Sequence, residues 1–287
     1  MPQIINTNIS SLSAQQNLNM SQNSLATSMQ RLSSGLRINS AADDAAGLAI
    51  ATRMDAQARG MTVAIRNAND GVSLAQTADS ALSSVTSALQ RMRELAVQAA
   101  NSTNSSSDKT SLDQEFGQLA QEVQRVLGGT TFNGQAILGS AAGTLVFQVG
   151  ANTSTNDSIS VTTTNLTTNA TLTTVAGTDN AGTGRATIDS TANAAAISAV
   201  INNIDTAINT INSERATYGA TQNRFQSVIA NLQSSVTNQT AARSRITDAD
   251  FAAETANMSR AQILQQAGNA MVAQANQLPQ LVLKLLG

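Results

Sequence analysis

Residues 197–236 read ISAVINNIDTAINTINSERATYGATQNRFQSVIANLQSSV. Alternate steps of four and three residues from Ile197 to Val236 pass through twelve positions, and all of them except Arg215 and Gln222 are apolar or aromatic. A mean spacing of 3.5 residues is typical of a coiled-coil seam, whereas a surface helix of a globular domain repeats closer to 3.6. The segment therefore predicts one long helix that packs along the side of another.

A second seam of the same kind occupies residues 61–96. Its members are Met61, Ile65, Ala68, Val72, Ala75, Ala78, Leu82, Val85, Leu89, Met92 and Ala96. One step shortens to three residues between Ala75 and Ala78, which predicts local overwinding. A third helix is predicted at 110–127, before Gly128 and Gly129. Helices with matching apolar faces predict a mainly α fold, a long antiparallel coiled-coil bundle.

Residues 140–190 have a different composition, rich in Thr and Asn. The runs 145–149 and 158–161 alternate like strands and predict a small β-hairpin. For residues 165–190, a packed surface loop and a flexible linker are equally compatible with the polar composition.

The two ends of the chain also carry apolar residues at heptad spacing. They are Leu18, Leu25, Met29, Leu32 and Leu36 near one end, and Leu264, Ala267, Met271, Ala275, Leu278 and Leu285 near the other. Pro279 interrupts the second series and predicts a kink or weakening there. A few buried aliphatic side chains cannot offset the entropy lost on ordering about 30 residues, so neither end should fold alone. We expect the two ends to pair with each other and with neighbouring copies of the chain.

Composition argues against several classes of function. The 287 residues include no Cys and no His, which removes thiolate and imidazole chemistry, and no pair of carboxylates stands out, so we expect neither an enzyme nor a cofactor or metal site. The net charge of −2 comes without a block of Lys and Arg, so nucleic acid is not an expected partner. No apolar run approaches the length of a membrane span. The first residues lack a basic region and an apolar stretch, so we expect no cleaved Sec signal.

Four segments carry a resemblance to a known family. Residues 30–50, QRLSSGLRINSAADDAAGLAI, resemble the N-terminal signature of bacterial flagellins, and residues 67–71, 89–98 and 257–268 are similar to other parts of that family's pattern. The resemblance covers residues 1–140 and 195–287. It implies a structural subunit that polymerises into the flagellar filament for swimming motility. Export would proceed unfolded through the flagellar type III channel, with assembly at the filament tip, so the expected location is extracellular.

The resemblance also implies a division into domains. Residues 1–43 and 247–287 would form a paired, inner-core terminal coiled-coil domain, and residues 44–139 and 191–246 an outer-core helical bundle. Residues 140–190 would be a β-hairpin and a short, variable polar insert. A hook–filament junction protein shares the terminal architecture and remains an alternative. A soluble coiled-coil adhesin or binding module is a second one.

Particular residues gain expected roles from the resemblance. Arg91, Leu95 and Glu115 correspond to positions that Toll-like receptor 5 contacts in the flagellins it detects, although Arg91 and Glu115 could instead pair across two helices above Leu95. Ser34, Gly35, Asp43 and Asp44 would cap helices within a connector between the inner and outer layers. The Leu-rich segment 281–287 would bind an export chaperone. Filament-cap and hook–filament junction proteins are further expected partners.

Overall fold

The computed structural model describes the backbone of residues 7–286 and the side chains of residues 7–277. These residues form six α-helices: α1 Ile9–Ser34, α2 Ala45–Ala99, α3 Ser106–Gly129, α4 Ala170–Ala176, α5 Ala194–Thr247 and α6 Phe251–Leu286. They also form four short strands: β1 Thr131–Phe132, β2 Gln135–Ala136, β3 Thr144–Gln148 and β4 Ser158–Thr162. The predicted mainly α architecture with a small β-hairpin region is confirmed.

The chain divides into two compact units. A terminal unit contains the residues up to Ala56 together with those from Thr237 onward, and a central unit contains Gln57–Val236. Both divisions fall inside long helices, α2 and α5. The division that the resemblance implies falls instead at helix ends, between α1 and α2 and at the end of α5, and it stays a prediction.

In the central unit, α2 and α5 bury the two seams that the heptad spacing predicts. Leu82, Leu89 and Ile204 are fully buried, and the other apolar residues of the two seams are buried or half-buried. Two ion pairs join the same helices, Arg93 Nε to Asp205 at 2.7 Å and Arg215 Nε to Asp79 at 2.8 Å. Each is largely exposed, so together they fix the helix register more than they stabilise the fold.

Helix α3 begins four residues earlier than predicted because Ser105 caps it. The Ser105 hydroxyl accepts a hydrogen bond from the Asp108 amide, and the Asp108 carboxylate accepts from the Ser105 amide, which completes a capping box. The helix ends at Gly129, as the glycine pair predicts. Phe116 and Leu127 on its inner face are fully buried.

The predicted hairpin is present, with the first strand one residue earlier and the second one residue longer than predicted. Strands β3 and β4 pair antiparallel, with Val146 opposite Ser160. A smaller hairpin, β1–β2, precedes it in the chain and was missed by the sequence reasoning. Its turn is Asn133-Gly134, both with positive φ. An Asn-Gly pair between two extended residues is a recognised hairpin signal.

Residues 165–190 pack against α3, so the linker alternative is wrong. Leu166, Leu172, Val175 and Ile188 are each 0% exposed, although the segment is mostly Thr, Asn and Gly. The Gln124 side chain, itself buried, donates to the Gly177 carbonyl. A few well-spaced aliphatic residues are enough to hold a polar segment on an existing core.

The strongest attachment of this segment is an ion pair. Arg185 makes a bidentate contact with Asp113 on α3, through Nη1 at 2.9 Å and Nη2 at 2.6 Å. The Ile188 amide donates to the same carboxylate, and the Arg185 guanidinium lies 6.0 Å from the centre of the Phe116 ring. Asp113 raises the pKa of Arg185 above its ordinary value. Because both side chains are mostly buried, loss of either one would leave the other without compensation.

Candidate assembly surface on the terminal helices

Helices α1 and α6 of the terminal unit pack against each other through a heptad seam that mixes small, polar and large apolar residues. On α1 the buried or half-buried positions are Ser11, Ala14, Leu18, Ser21, Leu25, Ser28 and Leu32. On α6 they are Glu254, Met258, Ala261, Gln265, Gly268, Val272 and Ala275. Small residues let two helix backbones approach closely. At Gly268, a Cβ would lie 3.2 Å from Cδ1 of Leu18.

Polar contacts fix the register of this pair at both of its ends. Asn8 Nδ2 donates to the Ala275 carbonyl at 2.7 Å, and the Ser11 hydroxyl donates to Asn276 Oδ1 at 2.7 Å. At the opposite end Arg31 lies 3.9 Å from Glu254, whose side chain is nearly buried. A buried polar group in a heptad seam disfavours alternative registers.

Many of the larger apolar side chains of these helices lie outside the seam. Eight of them are between 51% and 65% exposed: Ile9, Leu12, Met20, Met29, Phe251, Ile263, Leu264 and Met271. We call this set the outward apolar residues. A soluble helical hairpin normally has the opposite arrangement, with large apolar residues between the helices and polar ones outside.

The predicted seam residues separate into two groups in this arrangement. Leu18, Leu25 and Leu32 lie in the α1–α6 seam. Met29, Leu36, Leu264 and Met271 are exposed and do not contribute to the packing between the two ends. The side chains of Leu278 and Leu285 lie outside the described residues. Helix α6 extends to Leu286, so the predicted weakening at Pro279 does not end it.

Sequence reasoning did not single out five of the eight outward apolar residues, Ile9, Leu12, Met20, Phe251 and Ile263. It favoured the α6 face with the largest side chains, whereas the helix packs through Ala261, Gly268 and Ala275. The regular seven-residue spacing of these three small residues was the signal that could have identified the true seam.

The predicted connector residues form a compact capped turn. Helix α1 ends at Ser34, and Gly35 adopts the left-handed conformation with φ 71° while its amide donates to the Arg31 carbonyl. The Ser34 hydroxyl accepts from the Leu36 amide. A short antiparallel bridge then ties this turn to the chain between α5 and α6. In it, the Arg37 amide donates to the Thr247 carbonyl at 2.7 Å.

The two acidic connector residues accept hydrogen bonds in different structures, a helix start and a turn. Asp44 directly precedes α2 and accepts from the Gly47 amide at 2.8 Å, so the predicted N-cap is confirmed. Asp43 closes the preceding turn instead of sitting in the helix. Its carboxylate accepts from the Ser40 and Asn39 amides and the Ser40 hydroxyl. These hydrogen bonds, led by that from the Ser40 amide, lower the pKa of Asp43.

The three predicted receptor positions lie on or under one surface of the central unit. Arg91 Nε donates to Glu115 Oε1 across α2 and α3 at 2.8 Å, which raises the pKa of Arg91, and Arg91 also pairs with Glu94. Leu95 is 0% exposed. A direct receptor contact at Leu95 is therefore excluded in this conformation, and the alternative of an interhelical pair above a packed Leu95 describes the geometry.

The described residues form neither a metal site nor a membrane-spanning helix. Among those residues, no group of three or more acidic side chains is placed to hold a metal ion. Within residues 7–286, no helix combines the length and the apolar character needed to cross a bilayer.

Comparison with known proteins identifies the family. The model of the bacterial flagellin N-terminal helical region matches residues 5–142, and that of the C-terminal helical region matches residues 201–286. The chain belongs to the bacterial flagellin family. It is 44% identical to a flagellin of Halalkalibacterium halodurans over 283 residues, with 99% of both chains covered. It is 37% identical to flagellin A of Vibrio anguillarum, covering 98% of this chain and 99% of that one.

A solved relative is also found. The crystal structure of Bacillus cereus flagellin matches at 33% identity with a TM-score of 0.46, covering 62% of this chain and 94% of that chain.

Membership of the flagellin family makes the protein a structural, non-enzymatic component of the bacterial flagellar filament, and it self-assembles into that filament. The junction-protein and adhesin alternatives are not favoured.

Proposed function

We propose that the outward apolar residues of α1 and α6 are the surface through which copies of this chain pack in the filament. The observation that carries the proposal is that more large apolar side chains of the terminal hairpin are exposed than lie in its seam, eight outside against Leu18, Leu25, Leu32, Met258 and Val272 inside. Exposed apolar side chains of this number are costly in water and favour association. They lie on more than one face of the hairpin, which suits contact with several neighbours in a helical lattice.

The same arrangement gives a means of controlling assembly. A hairpin with large apolar residues at only five of the fourteen positions of its internal seam buries little apolar surface, so its own packing contributes weakly to folding. Contact with the filament tip adds the missing apolar burial. Folding of the terminal unit is then coupled to incorporation, which disfavours premature polymerisation.

The expected export route, binding partners and filament layers fit this account. Export through the type III channel in an unfolded state is compatible with a terminal unit of low intrinsic stability, and it places the assembled protein outside the cell. Residues 281–287 are proposed to bind the export chaperone, and the cap and junction proteins to contact the chain at the ends of the filament. The layers of the filament would follow the predicted division, with residues 1–43 and 247–287 innermost.

Recognition by Toll-like receptor 5 is proposed only for the exposed pair Arg91 and Glu115. These two side chains are about half exposed and carry opposite charges on adjacent helices. A receptor would have to compete with their mutual ion pair. Loss of reporter-cell signalling in Arg91→Ala, with unchanged melting of the central unit, is the expected result; equal signalling by wild type and variant would refute this contact.

Seeded elongation tests the assembly surface directly. Ile263→Glu places a charge on the outward side of α6, and Ile263→Leu keeps the side chain apolar. Gln266→Glu adds the same charge one turn away at a polar position. We expect Ile263→Glu to stop elongation of filament seeds while the other two variants elongate. Normal elongation by Ile263→Glu would show that this face is not a subunit contact.

A further inference from the structure

The described methionines of the chain differ widely in exposure. Met20, Met29 and Met271 lie on α1 and α6 and are 59%, 54% and 62% exposed, all as members of the outward apolar residues. Met92 lies in the seam of the central unit and is 0% exposed. The remaining described methionines, Met54, Met61 and Met258, are partly buried.

Thioethers are also the only sulfur groups of the protein, because the sequence contains eight Met and no Cys. A peroxide therefore meets no thiol that would react first or form a disulfide. Accessibility then decides which sulfurs react, and the three most exposed sulfurs among the described residues lie on the proposed assembly surface.

We propose that Met20, Met29 and Met271 form an oxidation-sensitive site that controls incorporation of the subunit. In the reaction with hydrogen peroxide, the thioether sulfur attacks one peroxide oxygen, the O–O bond breaks and an S=O bond forms. The sulfur is oxidised to the sulfoxide, the peroxide is reduced, and water leaves. Each event converts a flexible apolar side chain into a polar, chiral one.

The consequence depends on when oxidation occurs. In the free subunit, three sulfoxides on the outward face of the terminal helices remove apolar surface that neighbouring copies would bury. In the assembled filament, the same sulfurs are covered by neighbouring copies and react slowly. Oxidation thus blocks addition of new subunits while sparing those already incorporated. This inference rests on the proposed assembly surface.

The placement of the three residues argues against damage to the fold itself. None of them lies in the α1–α6 seam, whose described methionine is Met258, and none belongs to the core of the central unit. Their oxidation should leave the helices and their internal packing intact.

The test uses the full chain, purified as monomer, with hydrogen peroxide as the oxidant. Peptide mass spectrometry measures the gain of one oxygen at each methionine, and electron microscopy with light scattering follows elongation of filament seeds. We expect Met20, Met29 and Met271 to react at least about tenfold faster than Met92, and the oxidised monomer to elongate seeds at least about tenfold more slowly. Treatment with methionine sulfoxide reductases should restore elongation.

A matched variant removes the reactive sulfurs without removing apolar surface. The triple substitution Met20→Leu, Met29→Leu and Met271→Leu keeps helix propensity and elongates seeds before and after the same peroxide treatment. Circular dichroism of oxidised wild type should keep its helical signal.

The outcomes separate this inference from the assembly proposal. Oxidised wild type that elongates as fast as untreated wild type would overturn the inference alone. Equal oxidation rates in filament and monomer would also overturn it, because the sulfurs would then not be covered. Failure of untreated Ile263→Leu and wild type to elongate seeds would refute the assembly surface, and this inference with it.

Discussion

Gly71 in α2 is a close-contact position whose enlargement should weaken the central unit by a predictable amount. A Cβ at this position would lie 2.5 Å from Cζ and 2.7 Å from Cε2 of Phe225 on α5. Phe225 is 0% exposed, and its ring packs edge-on against Phe147 of β3 with 5.5 Å between centroids. The ring has no free space to occupy, so Gly71→Ala must separate the helices or move Phe225 off its rotamer.

Two opposing effects set the magnitude. Overpacking a filled core by one methyl group costs about 1–3 kcal/mol. Replacing a glycine inside a helix by alanine contributes about 1 kcal/mol of stability. The net expectation for Gly71→Ala is a loss of up to about 2 kcal/mol, or a fall of up to about 1 M in the urea midpoint for a typical slope of about 2 kcal/mol/M.

Gly219 of α5 supplies the matched control, because a Cβ there would meet nothing within 4 Å. Gly219→Ala gains the helix propensity without the clash and should raise the stability by up to about 1 kcal/mol. Urea unfolding followed by circular dichroism at fixed protein concentration measures both variants. In Gly71→Ala/Phe225→Leu, the smaller side chain should relieve the clash, so the double variant loses less than the sum of the single ones. If Gly71→Ala were as stable as Gly219→Ala, the account of the α2–α5 contact would be refuted.

Three further substitutions test the connector, the insert and a helix cap. Gly35→Val forces a branched residue into φ 71°, at a cost of about 1–2 kcal/mol. It should change filament shape and swimming, whereas Gly35→Asn should retain both. Normal swimming by Gly35→Val would refute the connector role. Asp113→Ala leaves Arg185 mostly buried and unpaired and should cost about 3 kcal/mol in urea unfolding; a loss below about 1 kcal/mol would contradict the burial. The Ser105 hydroxyl and amide lower the pKa of Asp108, so this cap stabilises α3 above the unfolded pKa near 3.8 and loses its contribution as pH falls through the lower, folded value. Ser105→Ala should therefore destabilise at pH 7 and converge with wild type in strong acid, and a pH-independent difference would be the contrary result.

The extent to which sequence predicts this structure depends on the size of the residues in each seam. Large aliphatic and aromatic side chains at a spacing of 3.5 mark the α5 seam from Ile197 to Phe225. The structure buries Ile197 and every seventh residue after it in this seam, and leaves Ile201 and Ile208 half-buried. Helix α6 has the opposite composition, with Ala261 and Gly268 at its contact and Leu264 outside. A method that searches for large apolar residues selects the wrong face of such a helix, because the closest packing requires the smallest side chains.

One local feature was missed, and another was left open between two alternatives. The turn at Asn133-Gly134 carried a usable hairpin signal, but the flanking strands have only two residues each and are too short to alternate visibly. The packing of residues 165–190 depends on Arg185 reaching Asp113, which lies 72 positions earlier in the chain. Composition alone cannot reveal a contact between residues so far apart in sequence.

The candidate site also has local features that the sequence predicts and a tertiary feature that it does not predict. Helix capping at Gly35 and Asp44 follows from local sequence rules, and the structure confirms both. Burial of Leu95 is a tertiary property, since its position on α2 relative to α3 decides its exposure. The resemblance that gave Leu95 an expected receptor contact carries no information about this burial.

Electron microscopy of seeded assembly, with intact chain and with chains shortened by about 30 residues at either end, tests the central claim most directly. The account predicts long tubular filaments from the intact monomer. It predicts soluble monomers from both shortened chains, with the helical circular dichroism of the central unit retained, because the outward apolar residues of α1 or α6 are then missing. Long filaments from either shortened chain, or folded monomers that never elongate from the intact one, would contradict it.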